Sequence, residues 1–311
     1  MDMKYGAIDI GTNSMRLMIA TVENGVLTGK QKWLFPTRMG EGLGKDKVLD
    51  PKVMDRNLEA LTQAGKICED HGVEHIIAFG TSALRDATNK EEFLQEAKCR
   101  TGVSVEVLSG DKESTLAFLG IIASVPEKDM LVLDVGGGST EWVVVRNGNK
   151  VRSASIDVGA VRMKEAYVQN DPPDIKELDA IRKHVEDAFS QAWKGLDLTD
   201  LAVVGIGGTA TTMSAMNQEM TEYRSEKIQN SKVTLLQMEE MLEKLGSQTL
   251  EARKETPGLQ PARADVIIPG MLIVLEGMKA AKKMVMIVSD SDNLEGAVYD
   301  KIKRDNVSQK Y

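Results

Sequence analysis

Short apolar runs of strand length alternate with amphipathic stretches of helical period along most of the chain, the pattern of an α/β protein. Tyr5–Ile10, Met15–Val22 and Val26–Leu34 read as three consecutive strands, with Asn24-Gly25 as the hairpin turn between the last two. A helix is predicted over Pro51–Asp70, where Leu58, Leu61, Ala64 and Ile67 fall on one face. Strand His75–Phe79, helix Lys90–Thr101, strand Val103–Leu108 and helix Lys112–Ser124 follow. After Pro126 the pattern restarts with strands Met130–Val135, Glu141–Val145 and Lys150–Ile156. Helix Asp174–Trp193, strand Leu201–Ile206 and helices near Thr209–Gln218 and Thr234–Leu245 come next. Pro257, Gly258 and Pro261 mark a loop before helix Arg263–Lys283, strand Met284–Val288 and a last helix, Leu294–Arg304.

The restart repeats a local device. Asp9-Ile10-Gly11-Thr12-Asn13-Ser14 returns as Asp134-Val135-Gly136-Gly137-Gly138-Ser139, and 134 − 9, 136 − 11 and 139 − 14 each give 125. Each copy leaves one apolar strand, enters another, and reaches an Asn-Gly turn, at 24–25 and 147–148. A period of 125 residues is far longer than a solenoid repeat. It predicts two related α/β domains, residues 1–125 and 126–311.

Composition narrows the partners. The chain has 311 residues, 42% hydrophobic and 28% charged, which is ordinary for a globular protein. Its 39 basic and 47 acidic residues give a net charge of −8, which argues against DNA and against a polybasic membrane anchor. The longest uncharged run, Leu201 to Gln218, is interrupted by Gly205, Gly207 and Gly208 and does not read as a membrane span. The first residues run straight into a strand without the layout of a signal peptide. Cys68 and Cys99 are too far apart for a CxxC pair and suit a reducing compartment, so the expected location is cytoplasmic.

The glycine turns are the candidate chemistry. A tight Gly-rich turn ending in Ser can aim successive backbone N–H groups at one point and form an anion nest. Gly11, Thr12, Asn13 and Ser14 make one such turn, and Gly136, Gly137, Gly138 and Ser139 the other. Asp9 and Asp134 precede them, and a carboxylate beside a chain of phosphates needs a hard cation, most commonly Mg²⁺, between the two. Glu141 lies just beyond the second turn. A third cluster, Gly205-Ile206-Gly207-Gly208-Thr209-Ala210, leaves a strand and opens a helix. It fits G-x-G-x-x-A without the acid at a following strand end, and is read as a further phosphate or nucleotide contact.

Two further loops carry charge. Glu113 falls in the first turn of a helix after Ser109-Gly110, where it either supports the helix end or deprotonates a water. Arg85, in the loop Gly80–Asp86, can clamp a phosphate or form a surface ion pair. His71-Gly72-Val73-Glu74-His75 fits a zinc-peptidase string, but Gly72 ends a helix and His75 opens a strand, so the two His cannot share a helical face.

Taken together, Asp9–Ser14, Gly80–Asp86, Ser109–Glu113, Asp134–Glu141, Gly159-Ala160-Val161-Arg162 and Arg263 through Gly270 resemble the exopolyphosphatase / guanosine pentaphosphate phosphohydrolase family, in family order and across nearly the whole chain. The resemblance implies two ribonuclease-H-like domains, as in actin, sugar kinases and heat-shock 70 chaperones, with a central cleft for phosphates. It implies hydrolysis of the terminal phosphoanhydride of inorganic polyphosphate, or alternatively of the 5′ phosphate of guanosine pentaphosphate. The resemblance places Glu113 on the family's catalytic base and Asp134 and Glu141 on catalytic-site acids that bind Mg²⁺ or assist the water, with Asp9, Asp134 and Glu141 as candidate Mg²⁺ ligands. Arg85, the two glycine turns and Gly207, Gly208 and Thr209 fall to phosphate binding. The implied cofactor is Mg²⁺, with K⁺ as a candidate companion, and the implied assembly is a homodimer.

Three features depart from the family pattern. Lys112-Glu113-Ser114 replaces an acidic pair before Ala, and Asn293-Leu294-Glu295-Gly296 stands where Leu-Arg-Glu-Gly is common. The helical His-Asp domain of larger members is not part of this sequence, from which a preference for short polyphosphate is expected. A kinase of the same superfamily and a non-catalytic sensor of phosphate ligands are the rival classes.

Overall fold

The computed structural model describes residues 3–308. In chain order the first elements are β1 (Met3–Ile10), β2 (Met15–Glu23), β3 (Val26–Phe35), α1 (Pro51–Asp70), β4 (His75–Gly80), α2 (Ser82–Asp86), α3 (Lys90–Thr101), β5 (Val105–Val107) and α4 (Gly110–Ile121). The second series is β6 (Met130–Val135), β7 (Thr140–Arg146), β8 (Asn149–Ile156), α5 (Ala160–Tyr167), α6 (Ile175–Ala192), β9 (Ala202–Ile206) and α7 (Gly207–Asn217). It continues with α8 (Ser225–Ile228), β10 (Ser231–Thr234), α9 (Leu235–Gly246), α10 (Leu250–Lys254), α11 (Ile267–Ala280) and β11 (Val285–Val288), and α12 (Asn293–Ser308) closes the chain.

These elements form two compact units. One runs to Ile121 and resumes at Asp292; the other is Ile122–Ser291. The last helix therefore groups with the first unit, which differs from a single cut at 125 with everything beyond it in one domain. The reason is packing: α12 lies on α4 and on the sheet strand β1.

Among the described residues the sheet of the first unit has the order β3-β2-β1-β4-β5, with β1–β2 and β2–β3 antiparallel and β1–β4 and β4–β5 parallel. The sheet of the second unit runs β10-β11-β9-β6-β7-β8. In it β6–β7 and β7–β8 are antiparallel and β6–β9 and β9–β11 parallel, so the first unit's order is repeated and extended by the antiparallel edge β10. This common antiparallel-then-parallel plan is the actin-like, ribonuclease-H-like one.

Strand alternation sorts the side chains of β1. Ile8 and Ile10 join a core with Leu17, Leu58, Leu61, Phe93 and Ala97, which buries the apolar stripes of α1 and α3. Tyr5 and Ala7 point the other way into a core with Phe79 of β4, Leu116 of α4, and Leu294 and Val298 of α12. Asp9 shares that second face. Helix starts are chemically marked: Asp50 caps α1 by accepting from Lys52 N–H at 2.7 Å with Pro51 at the first helical position, and Asp174 and Glu177 form a capping box on α6.

Candidate active site

In the first unit three loops leave the carboxyl ends of neighbouring parallel strands, the edge at which α/β sheets place ligands. The turn Gly11–Ser14 follows β1, Arg85 lies in the short helix after β4, and Glu113 lies in the first turn of the helix after β5. Backbone bonds stitch these ends together, Thr81 N–H to Ile10 O at 3.3 Å and Leu108 N–H to Gly80 O at 2.9 Å.

Glu113 is 6% exposed, and its Oε2 accepts from Arg85 Nη1 at 2.9 Å. The same Arg85 nitrogen donates to Leu108 O at 3.0 Å, so the guanidinium is fixed against the end of the neighbouring strand. The helix start is marked separately by Ser109, whose Oγ accepts from Lys112 N–H at 3.2 Å. The sequence leaves Glu113 two roles, helix support and reaction with water, and the structure adds a buried pairing with Arg85. Arg85 forms an ion pair, and its partner is this buried carboxylate.

Both glycine turns close in the same way, Gly11 N–H to Ser14 O at 3.1 Å and Gly136 N–H to Ser139 O at 3.0 Å. Their carbonyls are drawn to one side. Gly40 and Arg38 N–H groups take Thr12 and Asn13 carbonyls at 2.9 Å each. In the second turn Ala160 N–H takes Gly136 O at 2.9 Å, Val161 and Arg162 N–H take Gly137 O at 2.8 and 3.0 Å, and Arg162 Nε takes Gly138 O at 2.7 Å. In a trans peptide the N–H points opposite to the C=O. The amides of Asn13 and Ser14, and of Gly137, Gly138 and Ser139, are therefore turned the other way, as an anion nest requires.

The second unit gathers its acids at the corresponding edge. Asp134 on β6 and Glu141 on β7 are cross-strand partners and so share one face of the sheet. Glu141 is 2% exposed, and its Oε1 accepts from Ser139 Oγ at 2.8 Å and Ser155 Oγ at 2.5 Å. β6 pairs with β9, whose end opens into Gly207, Gly208 and Thr209 at the start of α7. Gly207 has φ +74°, and Asp134 Oδ1 occupies the space that a β-carbon there would need. Thr209 Oγ1 donates to Val135 O at 3.0 Å.

In the first unit the cross-strand partner of Asp9 is Arg16. Its Nε donates to Asp9 Oδ2 at 3.2 Å, Nη2 reaches the same oxygen, and Nη1 bonds Asp292 Oδ2. Burial pushes the Asp9 carboxyl up from its ordinary value, with Arg16 opposing and Asp292 adding to the rise. Burial also acts on Asp292, but Arg16, Lys32 and the Leu294 N–H outweigh it and hold that carboxyl below its ordinary value. Sequence reading gave no role to Arg16, Asp292 or Gly159. The repeat did carry a signal for Arg16, because 141 − 16 is again 125.

Mg²⁺ takes one or two carboxylates and completes its octahedron with water and phosphate oxygens, and among the described residues no group of three or more His, Cys, Asp or Glu could hold an ion by itself. Asp134 and Glu141 stand side by side on one face, and Asp9 Oδ1 is a buried oxygen with no hydrogen-bond partner. His71, at the end of α1, bonds Ile67 O through Nδ1, while His75 opens β4 and stacks on Tyr5. No helix among the described residues is long and apolar enough to cross a membrane.

The description of the Ppx/GppA phosphatase family matches residues 18–305. The chain belongs to that family. Membership makes it a hydrolase. It is 34% identical to a bifunctional 3-dehydroquinate synthase/phosphatase of Fusobacterium nucleatum, over 96% of this chain and 46% of that protein, so it spans about half the length of that relative. It is 32% identical to exopolyphosphatase 2 of Mycobacterium tuberculosis, over 94% of this chain and 97% of the relative. It is 26% identical to a guanosine-5′-triphosphate,3′-diphosphate pyrophosphatase of Vibrio vulnificus, over 95% of this chain and 59% of the relative. A crystal structure of the Aquifex aeolicus Ppx/GppA family member superposes with a TM-score of 0.81 at 29% identity, covering 98% of this chain and 99% of that one.

Proposed function

We propose that the protein is an exopolyphosphatase, hydrolysing the terminal phosphoanhydride of inorganic polyphosphate with release of phosphate. The observation that carries this reading is the buried Glu113 carboxylate, held by Arg85 at the same sheet edge as an anion-binding turn. Glu113 takes a proton from the attacking water, and the turn amides and Arg85 stabilise charge on the phosphoryl oxygens. In the second unit the Gly136–Ser139 turn and the start of α7 hold phosphate oxygens in the same way. Mg²⁺ would be held by Asp134 and Glu141 in the second unit, Asp9 is the candidate ligand of the first, and the ion when bound supplies charge neutralisation on the phosphates. The likeness along 97% of an exopolyphosphatase supports polyphosphate over other anhydrides.

The alternative substrate is guanosine pentaphosphate, favoured by the likeness to a guanosine-5′-triphosphate,3′-diphosphate pyrophosphatase. Both substrates offer a terminal phosphate to the same groups. The deciding experiment measures phosphate release from each substrate, without an acceptor, by the wild-type chain and by Glu113→Gln. Release by the wild type and a loss of turnover of about 10²–10⁴-fold in the variant, with KM little changed, are expected. Near-normal turnover of the variant removes Glu113 from the base role. Consumption of ATP only with an acceptor points to a kinase, and binding without turnover points to a sensor.

A further inference from the structure

The 125-residue repeat places Arg16 of the first unit in register with Glu141 of the second, each the cross-strand partner of the aspartate before a glycine turn. Where the second unit sets a carboxylate beside its aspartate, the first sets a guanidinium. We propose that Arg16 is a positioning residue for Asp9: it locks one carboxylate oxygen and leaves the other to accept from a hydrated divalent cation at the Gly11–Ser14 turn.

The geometry divides the two oxygens cleanly. Arg16 approaches Asp9 Oδ2 with both Nε and Nη2, two donors that converge on one oxygen and hold it in place. Its third nitrogen, Nη1, bonds Asp292 Oδ2, so the guanidinium is held from behind. Asp292 is itself fixed at the start of α12, accepting from Leu294 N–H at 3.0 Å through Oδ1 and donating its own N–H to Glu295 Oε2 at 2.9 Å. Asp9 Oδ1 remains buried and without a partner. It faces the turn: a β-carbon on Gly11 would stand 3.9 Å from it. A buried carboxylate oxygen left bare in a folded protein calls for a donor or a cation. Groups that orient a metal-binding carboxylate from behind are commonly worth 10–100-fold in metal affinity or activity.

This inference rests on the proposed hydrolase reading, and its test separates the two. Arg16→Gln, Arg16→Lys and Asp292→Asn are compared with the wild type in two measurements: the Mg²⁺ concentration giving half-maximal phosphate release from polyphosphate, and the Mg²⁺-induced rise in melting temperature without substrate. In Arg16→Gln the half-saturating Mg²⁺ rises about tenfold or more, with KM for polyphosphate changed little. Arg16→Lys keeps the charge but not the fork and gives an intermediate rise, and it decides the matter if the Gln variant does not fold. Asp292→Asn keeps an oxygen acceptor but loses the charge that holds Arg16 from behind, and gives a smaller rise than Arg16→Gln. A folded Arg16→Lys or Arg16→Gln protein whose Mg²⁺ dependence lies within twofold of wild type in both measurements overturns the proposal. If the wild type releases no phosphate from either substrate, the hydrolase reading fails, and the melting shift alone decides on Arg16.

Discussion

A β-carbon at Gly159 tests whether the second glycine turn binds the reacting phosphates. Gly159 precedes α5 with φ −143° and ψ 158°, extended backbone that alanine adopts without strain. The difficulty is space alone. A Cβ there would lie 2.5 Å from the carbonyl carbon of Gly137, and nearer still to Gly137 O and Gly138 C, all of them backbone atoms that cannot rotate away. To restore the shortest separation real Cβ atoms show, 3.0 Å, the turn must retreat by about half an ångström, and by nearly 1 Å for ordinary contact at 3.4 Å. The amides of Gly138 and Ser139 move with it. A misplacement of about 1 Å in a positioning group can cost about 10²-fold in rate. Gly159→Ala is thus expected to lower kcat/KM for phosphate release by about 10²-fold, and the overpacking to cost about 1–3 kcal/mol of stability. The assay is steady-state phosphate release with kcat and KM resolved, beside a thermal melt. A folded Gly159→Ala protein with kcat/KM within twofold of wild type would refute the placement of the turn in the reaction.

A glycine with free space gives the opposite result. Gly65, inside α1, has nothing within 4 Å of the position its β-carbon would take, so Gly65→Ala is expected to stabilise by about 0.5–1 kcal/mol with unchanged turnover, read from denaturant unfolding. Thiol titration tests the first core. Burial pushes the Cys68 thiol up to about 11 while Cys99 is exposed, so at pH 8 one thiol should react rapidly with a disulfide reagent in native protein and two after unfolding. Because the folded value lies above the thiol's ordinary value of 9.0, Cys68 favours the native state below pH 9 and loses that contribution as the pH rises through about 11. Rapid reaction of both thiols in the native protein would place Cys68 at the surface.

What the chain revealed by pattern alone follows from the range of the interactions involved. Strands β1, β2, β6 and β7 were legible because each carries its own apolar run and its own turn chemistry, both local properties. Helix α12 was legible as a helix but not in its place: its apolar stripe, Leu294, Ala297 and Val298, states that one face is buried and not which sheet buries it. Leu294 stands where the family pattern has an arginine, and the structure buries it against α4 and the first sheet. Strand β10 carries no apolar run, because Ser231–Thr234 is four residues long with Val233 as its one apolar residue; its pairing to β11, and not its composition, makes it a strand.

The pairing of Arg16 with Asp292 spans 276 residues, which no window along the sequence can contain, and yet half of it was within reach of the repeat. The offset that relates Asp9 to Asp134 also relates Arg16 to Glu141, and the strand registers confirm the correspondence in space. A duplicated strand–turn–strand device starts with the same neighbour on both copies. Replacing one neighbour by its opposite charge leaves one aspartate beside a second acid and gives the other a built-in cation. On the proposed reading the two aspartates then do different work: the pair in the second unit would offer two carboxylates to an external ion, and Asp9 would offer one oxygen. That asymmetry is why the Mg²⁺ requirement, and not turnover alone, is the quantity on which Arg16 should be judged.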